Sequence, residues 1–100
     1  MYNVVLAEPV MEYLTAIPPE EISPEGIISL IDQFSVELGE RADDFHQQDP
    51  LGPESLLFNY ETILVSVGSL HLFRLIVNMD QAEYGIVVVI YIDRMRLHPP

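Results

Sequence analysis

The chain has no cysteine, no tryptophan and no lysine, and only four arginines among its 100 residues. Without cysteine there is no disulfide framework, no thiolate metal site and no thiol nucleophile. That absence fits a reducing compartment. A chain this long buries roughly 65% of the surface its unfolded form exposes, so it folds without such staples. Long apolar runs are missing as well. The longest, Ile86 to Ile92, falls well short of the roughly 20 residues of a membrane helix. The opening Met1-Tyr2-Asn3-Val4-Val5-Leu6 lacks the basic flank of a signal peptide. These features predict a soluble, cytoplasmic, single domain spanning 1–100 with no membrane association.

Scarcity of positive charge excludes the most. Arg41, Arg74, Arg94 and Arg96 stand against 16 carboxylates, a net charge of −12. The imbalance is uneven. Residues 1–50 carry eleven carboxylates and one arginine, a balance of −10, whereas 51–100 carry five and three, a balance of −2. Affinity for nucleic acid comes largely from lysine and arginine neutralising phosphates. A field this negative repels polyanions and anionic membrane surfaces at range. Nucleic acid is therefore not an expected partner.

What is present predicts an α+β domain. Tyr2 to Leu6 is a short β-rich segment. Glu8-Pro9 suits the first turn of a helix, and Val10, Tyr13, Leu14 and Ile17 follow at helical spacing until Pro18-Pro19. Ser23-Pro24-Glu25 is a capping serine, a proline at the first helical position and an acid in the first turn. Behind it Ile27, Leu30, Ile31, Phe34, Leu38, Ala42 and Phe45 keep a 3.6-residue period, which predicts an amphipathic helix of some 22 residues ending before Asp49-Pro50.

The second half is rich in β-branched and aromatic residues. The stretch 54–66 reads as a strand with Asn59 and Glu61 on its outer face, although a helix starting after Pro53 also fits. Gly68 and Ser69 read as a hairpin turn. From His71 to Asp80 one face carries Phe73, Leu75, Val77 and Met79, the other Leu72, Arg74, Ile76 and Asn78. The continuous apolar run Ile86–Ile92 predicts a central strand buried on both faces, so that Val88→Asp, like Ile31→Asp in the long helix, should prevent folding. The expected order is a strand, two helices, then an antiparallel three-stranded meander, with the helices on one sheet face.

Three segments give the chain a family likeness: Tyr2-Asn3-Val4-Val5-Leu6-Ala7-Glu8-Pro9, Leu72-Phe73-Arg74-Leu75-Ile76-Val77 and Val88-Val89-Ile90-Tyr91-Ile92-Asp93-Arg94-Met95-Arg96. With this order of elements, they resemble the RelE/ParE superfamily of toxin–antitoxin proteins. The resemblance implies a ribosome-dependent nuclease using basic residues and a C-terminal histidine or tyrosine. Carried over, it marks Arg74, Arg94 or Arg96, and His98 as catalytic candidates. The family's basic cluster between the second helix and the second strand is here Asp43-Asp44-Phe45-His46-Gln47-Gln48-Asp49. That reversal of sign implies that the nuclease has been lost.

Other candidate chemistry is thin. Asp43, Asp44, His46 and Asp49 have the donor types for a divalent metal but match no ligand-loop spacing, and a solvated helix end explains them equally. Arg74 among apolar neighbours suits either phosphate binding or an ion pair. His71 and His98 could act as general bases. No cofactor is implied. The leading expectation is an acidic protein-interaction module, binding a protein partner or itself as a homodimer, whose copies could meet through Phe58, Phe73 or Leu75 or by strand pairing. The alternative is an active toxin-type mRNA endoribonuclease.

Overall fold

A computed structural model describes residues 1–48, 50–52 and 55–97. It is an α+β fold with two helices and a four-stranded mixed sheet. In chain order the elements are β1 (Asn3–Leu6), α1 (Glu8–Thr15), α2 (Pro24–Gln48), β2 (Leu57–Ser66), β3 (Ser69–Asn78) and β4 (Ile86–Leu97), with a 3₁₀ turn at Ala82–Tyr84. The sheet order is β1-β4-β3-β2: β1 runs parallel to β4, and the other neighbours are antiparallel. None of the described helices is long and apolar enough to cross a membrane.

Local chemistry accounts for the ends of α2. Ser23 Oγ accepts the Gly26 N–H at 3.1 Å, and Pro24 fills a position whose missing donor is no loss. The helix is longer than the sequence predicts, and it kinks at Arg41 (φ −127°, ψ 16°). Just before the kink, the Gly39 carbonyl accepts the Tyr2 N–H of the chain entering β1 at 2.8 Å. A carbonyl drawn outward loosens the helical ladder one turn on. The approach favours glycine, because a Cβ there would crowd the Tyr2 carbonyl oxygen at 3.0 Å. The first helix stops at Thr15, two residues before the expected Ile17.

One core joins the elements. Val10 and Leu14 of α1 and Leu30, Phe34, Leu38 and Ala42 of α2 pack with Phe58, Tyr60 and Leu64 of β2, Phe73, Leu75 and Val77 of β3, and Val87, Val89 and Ile92 of β4. Even-numbered residues of β2 and odd-numbered residues of β3 face this core. The alternate side chains of these strands are exposed or only partly buried, and the sheet face they form is called the open face below.

One open alternative is settled and two expectations change. The segment 57–66 is a strand, resolving the strand-or-helix alternative over its described part. The hairpin turn is Val67-Gly68, closed by Ser66 and Ser69; φ is +50° and +73° at its two residues, a type I′ turn. The run Ile86–Ile92 is central in the sheet but not buried on both faces. Its register slips between Ile76 and Val77, whose partners are Tyr91 and Val89, leaving Ile90 as an extra residue. This β-bulge puts Ile90 and Tyr91 outward together between the inward-facing Val89 and Ile92. The apolar run therefore records a change of phase rather than burial of both faces. Val88 is only partly buried and lies outside the core, and Ile31 packs at the core's margin.

Candidate functional site

The pleat and register place the open-face side chains in rows across β2, β3 and β4. Val65, Leu70 and Leu97 form one row, and Ile63, Leu72 and Met95 the next. Then come Glu61, Arg74 and Asp93, and beyond them Asn59, Ile76 and Tyr91. A single charged row thus crosses a face that is otherwise mostly apolar. Ile63, Val65, Tyr91 and Met95 are each about half exposed or more.

Arg74 sits at the centre of that row and is held by its neighbour Asp93. Its Nε and Nη2 donate to the two Asp93 carboxylate oxygens at 3.0 and 2.8 Å, a bidentate fork. The Tyr91 hydroxyl donates to the same carboxylate at 3.3 Å. The Arg74 hydrogen bond holds the Asp93 carboxyl below its ordinary range, and Asp93 raises the Arg74 guanidinium in return. A shallow cavity of about 210 Å³ lies over this pair, lined by Asn59, Leu75, Ile76 and Tyr91 as well. Of the two readings offered for Arg74, the geometry is that of the ion pair.

Arg94 points the other way. Arg74 lies across from Asp93 and Phe73 from Arg94, so the two arginines occupy opposite faces of the sheet. On the core side Arg94 Nη2 pairs with Glu21 at 3.3 Å, and Arg96 Nη2 donates to Ser69 Oγ at 2.9 Å. The catalytic candidates Arg74 and Arg94 are therefore not brought together, and His98 lies outside the described residues. Sequence reasoning could not foresee this separation, because the bulge at Ile90 sets it. An unbroken pleat would have put Arg94 on the Arg74 face.

His71, proposed as a general base, is completely buried on the core side beside Arg94. Neither ring nitrogen, nor Nη1 of Arg94, completes a hydrogen bond among the described residues, although the Glu21 backbone lies near the ring. Burial, then the charges of Arg94 and Arg96, lower the His71 pKa; Glu21 opposes them. A neutral ring enclosed in this way cannot reach a substrate proton.

The acidic end of α2 is tied down piece by piece. Asp43 accepts the Tyr2 hydroxyl at 2.7 Å, Asp44 faces Arg41 at 3.8 Å, and His46 Nε2 lies 2.6 Å from the Ser55 carbonyl. A carbonyl only accepts, so that nitrogen carries the proton. Among the described residues no three potential metal ligands come together; Asp49 lies outside them. Nearby is a feature the sequence did not suggest. The Tyr60 hydroxyl donates to Glu37 Oε2 at 2.5 Å, and burial, reinforced by Glu37, pushes its pKa far up. These two line a cavity of about 360 Å³ with Phe45, Gln48, Asn59 and Glu61.

No protein-family model, no curated protein and no solved structure matches the chain.

Proposed function

We propose that the chain is an acidic protein-interaction module on a RelE/ParE-like frame, with both helices on one face of an antiparallel meander and the nuclease lost. It binds a protein partner, most simply a second copy of itself, through the strands of its second half. One observation carries this reading: Arg74, the sole cation of the open sheet face among the described residues, is held bidentately by Asp93 and flanked by Glu61, while apolar side chains surround them. A phosphate arriving there would have to displace a carboxylate and approach a second. A protein surface would bury the apolar rows. Phe58, Phe73 and Leu75 are not part of that surface, because all three are fully buried.

The rival, a toxin-type endoribonuclease built on Arg74, Arg94 and His98, has no supporting geometry among the described residues. RNA titrations and light scattering test the choice. We expect no binding of RNA or duplex DNA at physiological salt, and a mass above that of the monomer at high micromolar concentration. Tight RNA binding that weakens steeply with salt would overturn the proposal, because that slope counts neutralised phosphates.

A further inference from the structure

We propose that a second copy of the chain pairs antiparallel with the outer edge of β2, extending the sheet across a two-fold axis near Ile63. The proposal rests on the self-association reading above. β2 closes one end of the sheet order. In a two-residue hairpin the closing residues, here Ser66 and Ser69, exchange hydrogen bonds, so the even-numbered residues of β2 turn their backbone groups toward β3. Asn59, Glu61, Ile63 and Val65 turn theirs outward. The bond from the Leu51 N–H to the Leu57 carbonyl, at 2.9 Å, falls on that outer side and agrees with this phase. It covers only the start of the edge. Beyond it, among the described residues, the one hydrogen bond to the outward backbone groups is from Gln33 Nε2, 3.5 Å from the Ile63 carbonyl and at the limit of such a bond.

Natural sheets blunt such edges with lysine, proline, bulges or short strands. β2 has none of these: it is ten residues long, in unbroken register with β3, and carries one charge, Glu61. The opposite edge, β1, is only four residues long, and the Tyr2 N–H just before it is already taken by Gly39.

Antiparallel two-fold pairing is self-complementary for such an edge, since each outward donor meets an acceptor of the same phase. The charge pattern selects the register. An axis at Glu61 would place two carboxylates directly opposite, which is destabilising. An axis at Ile63 pairs Ile63 with its own copy and sets Glu61 across from Val65 of the second copy. It also buries Ile63 and Val65, now 49% and 67% exposed. The acidic helices then lie on the same side of the joined sheet, so added salt should tighten the dimer.

The absence of cysteine makes the test clean. Ile63→Cys and Met95→Cys are prepared in the full chain and treated with a short bismaleimide, with light scattering in parallel. Across the joined sheet two Ile63 residues would be adjacent, whereas two Met95 residues would be five strand spacings apart, about 24 Å. We expect a dimer, cross-linking only through Ile63→Cys, and roughly tenfold or greater weakening of the dimer by Ile63→Lys with an unchanged circular dichroism spectrum. A dimer that cross-links through Met95→Cys but not Ile63→Cys would overturn the edge proposal and leave self-association standing, by face-to-face stacking. A monomer at all concentrations would overturn both.

Discussion

The two faces of the same three strands follow different rules. On the core face, Phe73, Leu75, Val77, Val87 and Val89 are completely buried; Tyr60 and Thr62 find partners in Glu37 and Gln33, whereas the His71 ring and Arg94 Nη1 complete no hydrogen bond among the described residues. On the open face Arg74 pairs with Asp93, and Asp93 accepts from both Arg74 and Tyr91. Burial thus does not predict satisfaction here. The unpaired groups of the core face lie near Glu21, in the segment between α1 and α2.

The sharpest way to break this comparison is to put the same charge on each face. Val89→Asp would bury a carboxylate with no partner in the core, costing several kcal/mol and leaving no cooperative unfolding transition. Met95→Asp, at a position 52% exposed, should cost about 0.5 kcal/mol or less. Thermal melts of the two variants decide. Equal damage from both would mean that the open face is covered in solution.

The contrast also shows what the sequence disclosed. The long helix was legible because its cap and stripe are local: Ser23, Pro24 and the residues from Leu30 to Ala42 lie where periodicity puts them. β3 was legible from alternation, and Phe73, Leu75 and Val77 fall on the face expected of them, whereas 54–66 left strand and helix both open. The bulge was not. An apolar run such as Ile86–Ile92 looks the same whether a strand is enclosed on both sides or steps out of phase, because both put apolar residues at consecutive positions. That single extra residue decides the candidate site, since it swaps which of Asp93 and Arg94 meets Arg74. The hairpin turn was misplaced by one residue for a related reason: valine is a poor residue for a positive φ, so Gly68-Ser69 looked better than Val67-Gly68.

A second test sharpens the comparison through pH. Burial and the neighbouring arginines keep His71 neutral in the folded chain, below its ordinary value of 6.5. The unfolded chain therefore binds the extra proton first, so stability present above about pH 6.5 is lost as pH falls below it. Asp93 on the open face has a depressed pKa, so its contribution is lost only at much lower pH, below its ordinary 3.8. Melting temperature should thus decline between pH 7 and pH 5, and His71→Leu should flatten that decline by removing both the titrating group and its unpartnered nitrogens. An undiminished slope in His71→Leu would place the proton elsewhere.

A further modest effect concerns the device that fixes which residues belong to which face. The β2–β3 hairpin turns in two residues, so its geometry sets the phase of both strands together. A type I′ turn requires positive φ at both central residues and favours Asn-Gly, yet the first is Val67, with φ +50°. A β-branched side chain in the left-handed region costs roughly 1–2 kcal/mol, and no burial offsets it, because Val67 is 61% exposed. Val67→Asn should relieve part of that strain, adding about 1 kcal/mol and raising Tm by about 5 °C. Because Val67 lies beyond the paired residues of β2, the substitution should leave the open face and any dimer unchanged by cross-linking. A stabilised variant with altered cross-linking would mean that the turn had been holding the strands in a different phase, and the assignment of residues to the two faces would have to be revised.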